Sequence, residues 1–204
     1  MVVVLDLGIS NVVSVERMIR KVGFFDVKIS NSKHDIKNCE KIILPGVGHY
    51  DAGVKSLLNL DLIDFLPQTI KKKKIPTLGI CLGAQLLLSH SEEGKKPGLD
   101  LVEGYCKKFD KNLINEFKIP NMGWLETHFI KNTNLSKNFE PNPRFYFVHS
   151  YHFSLKNKND ILCVSNYGYE FSAGFQYKNI IGLQFHPEKS HNYGKQIIEN
   201  FLRM

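Results

Sequence analysis

The feature that most limits what this chain can become is an alternation in its first half. Short β-rich runs are each followed by a stretch of helical spacing: VVVLD then SVERMIRKVGF, DVKIS then KHDIKNC, KIILPG then VKSLLNLDLIDFL, IPTLGI then LGAQLLLSH. Parallel strands joined by crossover helices produce that order. The pattern predicts an α/β fold with an open, mostly parallel central sheet and helices on both faces. The second half is richer in strands, with LVEGYCKKF, RFYFVHSYHF, DILCVSNYG, FSAGFQY and IIGLQFHPE, and Tyr177–Asn179 reads as the turn between the last two. These runs predict extra antiparallel strands, and HNYGKQIIENFLRM a closing helix. Lys131 to Asn142 reads as a polar surface loop, and no linker or repeat divides residues 1–204, which are expected to form one domain.

A chain of 204 residues with 43% hydrophobic content buries a core without disulfides or a structural metal. Its four cysteines are widely spaced and form neither a CxxC pair nor a disulfide scaffold, so reduced thiols are expected. MVVVLDLGIS carries no basic leader, and Asp6 interrupts its apolar run; the expectation is a cytoplasmic chain without signal peptide or membrane span. The net charge of +7 comes almost wholly from lysine, with arginine only at 17, 20, 144 and 203, which argues against planar recognition of nucleic acid. Lys71–Lys74 falls where a helix ends before IPTLGI, and cations suit a helix C-terminus.

Chemistry enters at Gly79-Ile80-Cys81-Leu82-Gly83, where a strand-like run gives way to a helix-like one. The spacing is that of a nucleophile elbow, a sharp turn that crowds the backbone on both sides and forces the central side chain outward. A helix starting at Leu82 would place positive dipole beside the sulfur and favour thiolate over thiol. Taken alone, the cysteine is also compatible with small core filler.

A nucleophile of this kind needs a base and something to orient it. QFHPEKS offers His186 and Glu188 two residues apart after an apolar strand; in extended chain both point to one side, and Pro187 is expected to keep the segment from turning helical. By themselves they are also compatible with a strand-end histidine beside a solvated glutamate. No further His or Cys completes a metal-ligand spacing. Pro45-Gly46-Val47-Gly48 follows another strand and is a loop able to turn backbone N–H groups toward an oxyanion, or a plain tight turn. The three elements together supply nucleophile, oxyanion donors and base, which points to acyl transfer.

With these residues in place the chain resembles the class I, triad-type glutamine amidotransferases, and among them the glutaminase subunits of imidazole glycerol phosphate synthase. GISNVVSVERMIRKVGF, LPGVGHYDAG, LGICLGAQLLLSHSEEG, IPNMGW, FYFVHSY and GLQFHPEKS stand in that family's order at about its spacing. The resemblance implies a flavodoxin-like arrangement with Cys81 as nucleophile, His186 as base and acid, and Glu188 as orienter. Gly48 and Leu82 would lie at the oxyanion hole, and Gln85, His149, Ser150 and Tyr151 would hold glutamine. It implies a partner, a (β/α)8-barrel cyclase subunit facing Asn11, Met122, Trp124, Tyr146 and Lys189, and no metal or organic cofactor. Glutamine hydrolysis would then feed ammonia to imidazole glycerol phosphate formation in histidine biosynthesis. HSYHF and NYGYEFSAGFQYKN also resemble paralogues that supply ammonia for amidation of a surface-glycan amino sugar.

Departures from the family pattern are His49 and Tyr50 after the loop, Asn121 where a histidine commonly precedes Met-Gly-Trp, and Leu125-Glu126 in place of an asparagine after Trp124. They are expected to lie toward the partner face. A free-standing cysteine hydrolase or a chemically silent interaction subunit would share the fold; the first would need no FVHSY, and the second would most readily have lost Cys81, His186 or Glu188.

Overall fold

The computed structural model describes residues 1–114, 117–139 and 141–204. The alternating first half folds as β1 (Val2–Leu5), α1 (Val12–Lys21), β2 (Val27–Ser30), α2 (Lys33–Asn38), β3 (Lys41–Gly46), α3 (Tyr50–Asn59), α4 (Phe65–Lys73), β4 (Thr77–Cys81) and α5 (Leu82–Leu86). After β5 (His90–Ser91) come β6 (Gly104–Lys108), α6 (Lys111–Ile114), β7 (Asn121–Phe129), β8 (Arg144–His149), β9 (Tyr151–Leu155), β10 (Ile161–Tyr167), β11 (Tyr169–Tyr177), β12 (Ile180–Leu183) and α7 (His191–Arg203). The sheet runs β2-β1-β3-β4-β12-β11-β10-β7-β8. From β2 to β12 every neighbouring pair is parallel; from β12 to β8 every pair is antiparallel. Among the described residues, no helix is long and apolar enough to cross a membrane.

All four residues of β1 are buried because both sheet faces are covered. Val2 and Val4 join a core with Val12, Val15 and Ile19 of α1 and Ile197, Ile198 and Phe201 of α7. Val3 and Leu5 face the opposite way, against Val54 and Leu57 of α3, Leu66 and Ile70 of α4, and Leu86 of α5. Side-chain alternation along a strand thus feeds two separate cores. Lysines 71–73 form the last turn of α4, and Lys74 caps it in a left-handed conformation, φ 53°. The run suits the helix dipole, as its place in the sequence suggested.

Several expectations need correction. VKSLLNLDLIDFL is the end of one helix and the start of another, because the chain turns at Asp61, φ 52°. LGAQLLLSH holds only a five-residue helix before Ser89 bonds back to Gly104. RFYFVHSYHF is two strands broken at Ser150: β8 pairs with β7, whereas β9 pairs with β6 and β11. After β12, Pro187–Lys189 forms a 3-10 turn with proline at its start, a position for which the fixed φ of proline is suited. The proline therefore starts a turn here. In the loop after β7, Leu135 is fully buried, and Asn200 of α7 donates to the carbonyls of Leu135 and Lys137 at 2.8 and 2.9 Å.

Strand β7 escaped the sequence reading because both of its faces mix polar and apolar residues. Asn121 and Thr127 point inward and are buried, Met122 and Trp124 point outward and are exposed. Asn121 Nδ2 pairs with His149 and Thr127 with Ser165 of β10 at 2.9 Å, while Asn121 Oδ1 has no partner among the described residues.

Gly83 packs against β3 so closely that a Cβ there would collide with the carbonyl of Leu44. We expect Gly83→Ala to destabilise the chain by about 1–3 kcal/mol. For a chain of this size each kcal/mol lowers Tm by about 2–4 °C. A thermal melt unchanged from wild type would contradict this account of the elbow.

Candidate active site

The parallel half of the sheet delivers Cys81 to its carboxyl edge, where α/β sheets gather reactive groups. Its backbone is left-handed, φ 52° and ψ −113°, a conformation that costs a non-glycine residue about 1–3 kcal/mol and persists only where its surroundings enforce it. They do so by contact. A Cβ on Gly79 would stand 2.6 Å from Ala84 Cα, and one on Gly46 would stand 2.8 Å from the Gly83 nitrogen. Backbone packs on backbone around the turn, so Cys81 is lifted above the sheet yet remains 7% exposed. Its sulfur lies 3.9 Å from the Val148 carbonyl and accepts from Gln184 Nε2 at 3.6 Å. Gln85 donates in turn to Gln184 Oε1 at 3.2 Å.

His186 precedes the 3-10 turn and is 1% exposed. Its Nδ1–H donates to Glu188 Oε1 at 2.7 Å, although the segment is not extended as the sequence suggested. Burial works against charge on this imidazole, but Cys81 and the Glu188 carboxylate beside it outweigh burial and raise the pKa to about 10. Among the described residues Nε2 has no partner in good hydrogen-bond geometry, yet the Cys81 sulfur is close enough to raise the ring's pKa. Ser190 fixes the turn: its hydroxyl donates to the His186 carbonyl at 2.6 Å and accepts from the Tyr146 N–H at 3.0 Å.

A cavity of about 170 Å³ opens on these groups, lined by Gly48, Leu82, Gln85, His149, Ser150 and Tyr151 as well as Cys81 and His186. The glutamine-binding and oxyanion residues expected from the sequence are thus brought to one cavity. Glu93, which the sequence reading missed, lines it too, and its carboxylate accepts from the Tyr50 N–H at 2.8 Å. SEEG belongs to a run that carries the resemblance, but only the fold brings Glu93 beside Cys81. Both nitrogens of His149 are used internally, so it offers the cavity backbone rather than a free ring nitrogen. In the Pro45–Gly48 loop the Val47 N–H donates to the Ile9 carbonyl at 3.1 Å, and Gly48 sits at φ 102°. A larger groove of about 910 Å³ lies between α4 and the β11–β12 turn, but its lysine, aspartate and glutamate lining holds no nucleophile beside a base. Among the described residues no three His, Cys, Asp or Glu side chains gather as a metal site requires.

The expected partner residues fall mostly together. Met122 is 63% exposed and Trp124 36%. Trp124 lies across from Tyr146 on β8 and stacks on His191, and the Lys189 ammonium stands 5.6 Å from the Tyr146 ring centre. Asn11 is exposed and caps α1 through the Ser14 N–H. His49 is exposed and caps α3, and Glu126 is exposed on the outer face of β7. Asn121 and Tyr50 correct the expectation for them: Asn121, 1% exposed, faces the interior and bonds His149, and Tyr50 is fully buried in the core.

The other three thiols are buried without a cationic neighbour of this kind, and burial pushes them up, Cys39 to about 11 and Cys106 and Cys163 further. At pH 7 we expect iodoacetamide to label Cys81 at least about tenfold faster than the others, because the thiolate is the reacting form. Peptide mass spectrometry after a brief pulse checks this; equal labelling would contradict it.

Comparison with known proteins agrees with this geometry. A family model described as glutamine amidotransferase class-I matches residues 3–204. Imidazole glycerol phosphate synthase subunit HisH 2 of Methanococcus maripaludis is 45% identical, covering 100% of this chain and 99% of the relative. HisH of Leptospira borgpetersenii is 42% identical over 98% of both chains, and HisH 2 of Pseudomonas aeruginosa is 41% identical over 100% of both. Among solved structures, a glutamine amidotransferase aligns with TM-score 0.76 at 15% identity, covering 99% of this chain and 97% of that one. PurLQS from Thermotoga maritima aligns with TM-score 0.72 at 18% identity, with the same coverage. These two show the shared fold. With an elbow cysteine, a buried His–Glu pair and a full-length match, the chain belongs to the class-I glutamine amidotransferases and, among them, to the HisH subunits of imidazole glycerol phosphate synthase.

Proposed function

We propose that this chain hydrolyses L-glutamine to glutamate and ammonia in the cytoplasm and hands the ammonia to a cyclase subunit. The observation that carries the reading is Cys81, held left-handed at a strand end beside the buried His186–Glu188 pair. Cys81 Sγ attacks the side-chain amide carbon of glutamine, and the oxyanion is received by backbone N–H groups at Gly48 and Leu82. The His186 imidazolium gives its Nε2 proton to the leaving nitrogen, so the C–N bond breaks and NH₃ departs, leaving a γ-glutamyl thioester. Water then adds to the thioester as His186 takes a proton, the C–S bond breaks, and glutamate leaves. Glu188 keeps the imidazole oriented through Nδ1. Glu93 suits the α-ammonium of the substrate, and Gln85 with the 149–151 backbone suits the rest of its α-amino acid end.

The relatives named above are subunits by name, which supports a partner for this chain. We assign that partner as a (β/α)8-barrel cyclase that joins the ammonia to a histidine-pathway ribotide, docking on Met122, Trp124, Tyr146 and Lys189, with Asn11 at α1. None of those relatives carries a name from surface-glycan amidation, so the histidine pathway is the preferred reading.

Gly46 and Gly48 leave the Pro45–Gly48 loop free to turn the Gly48 N–H into or out of the oxyanion hole, and the neighbouring Val47 N–H is tied to the Ile9 carbonyl. Loss of one such donor costs on the order of 10² to 10³ in rate. We therefore expect the isolated chain to hydrolyse glutamine at least about 10²-fold more slowly than the complex with its ribotide bound. Full activity of the chain alone would rule the gating out.

The division of labour has its own test. In complex with the barrel, Cys81→Ala is expected to lose the glutamine-driven reaction and keep the ammonium-driven one, because the acceptor sits on the other chain. That residual reaction should strengthen as pH rises toward about 9, where more ammonium is present as NH₃. Product formed only from an amino-sugar acceptor with its own barrel would overturn the pathway, and loss of the ammonium reaction would overturn the division itself.

A further inference from the structure

The ring of His149 is 5% exposed, with Phe109, Phe147 and Phe171 ring centres 5.2, 5.5 and 5.3 Å away. Apolar walls disfavour charge, and burial pushes its pKa down to about 3, so the ring is neutral under physiological conditions. A neutral imidazole has one N–H and one lone pair. Nδ1 faces the Tyr151 carbonyl at 2.7 Å, which only accepts, so the hydrogen sits on Nδ1. Nε2 then accepts, and the Asn121 amide donates to it from Nδ2 at 3.0 Å. Every polar partner in this chain of bonds is fixed by what its neighbour can do.

The chain of bonds spans the break at Ser150. There β8 stops and β9 begins, and residues 149–151 line the cavity beside Cys81. Two bonds pin the break, Phe109 N–H to the Ser150 carbonyl at 3.1 Å and His149 Nδ1–H to the Tyr151 carbonyl. The second depends on the ring's orientation, and Asn121 sets it. One residue beyond Asn121, Met122 stands on the exposed outer face, opposite Val148, whose carbonyl is the one beside the Cys81 sulfur.

We propose that Asn121 is a positioning residue for the glutamine site: by donating to His149 it holds the imidazole that clamps Tyr151, and so fixes the 149–151 backbone on which the substrate's α-amino acid end is seated. The proposal rests on reading the cavity as a glutamine site. It assigns Asn121 no contact with substrate. Its loss should therefore weaken binding more than chemistry.

In the complex with the barrel, Asn121→Ala is expected to raise KM for glutamine about tenfold while kcat stays within about threefold, with the ammonium-driven reaction unchanged. Asn121→His, which restores an N–H donor on a ring, should recover most of the lost kcat/KM. Nitrogen-15 spectra of histidine-labelled wild type should show His149 as the Nδ1–H tautomer. An unmoved KM in Asn121→Ala overturns the proposal, as does joint loss of kcat and the ammonium reaction, or an Nε2–H tautomer. If Asn121→Ala fails to fold, Asn121→His and the tautomer decide: the Nδ1–H form with a near wild-type KM supports the clamp, and the other tautomer or a tenfold rise in KM overturns it. A wild-type complex that leaves glutamine intact overturns the functional reading and the proposal with it, whereas wild-type turnover with an unmoved KM in the alanine variant overturns the proposal alone.

Discussion

Backbone contact around one strained residue carries the rest of this molecule. Cys81 holds a left-handed conformation because β3, β4 and α5 approach one another through glycine, with Gly46 against the Gly83 nitrogen and Gly79 against Ala84. A side chain at any of the three would push the layers apart and let the turn relax. The sheet order matters because it flanks β4 with β3 on one side and β12 on the other. One neighbour supplies the Pro45–Gly48 loop and the other leads into His186. The grouping of Cys81, His186 and the Pro45–Gly48 loop is thus a by-product of three adjacent parallel strands ending at the same edge.

Two buried histidines within one site show how differently surroundings set charge. His186 sits between a sulfur and a carboxylate and is held as a cation well past neutrality. His149, among phenylalanine rings with a carbonyl and an amide at its nitrogens, is held neutral far into acid. One is fitted to move a proton and the other to hold still. Their separation in pKa keeps the scaffold from titrating while the chemistry does.

What was legible in the sequence follows from which signals are local. Periodicity announced β1 to β4 and their helices because each is covered on a whole face or stripe by apolar residues. Glycine spacing announced the elbow because close approach leaves no room for a Cβ. The break at Ser150 was invisible, since FYFVHSYHF alternates through it as a single strand would, and only pairing with different partners separates β8 from β9. The 3-10 turn at Pro187 was misread because proline both resists helix interiors and starts helical turns. Glu93 came to the site through tertiary placement alone, and β7 was passed over because both of its faces mix polar and apolar residues.

That mixture bears on how the chain finds its register. A strand slipped by one residue exchanges its two faces. For β7, a slip would bring Met122, Trp124, Glu126 and His128 inward and turn Asn121, Leu125, Thr127 and Phe129 outward, so burial of apolar side chains alone separates the two registers poorly. The native register is selected by two buried polar pairs, Asn121 with His149 and Thr127 with Ser165. Side-chain hydrogen bonds here act as an alignment code, one that grows stricter as the strand is excluded from water, since an unpaired amide or hydroxyl costs more in a dry interior than a misplaced methionine gains. Met122 and Trp124 can therefore stay exposed on the outer face without the strand turning over to bury them.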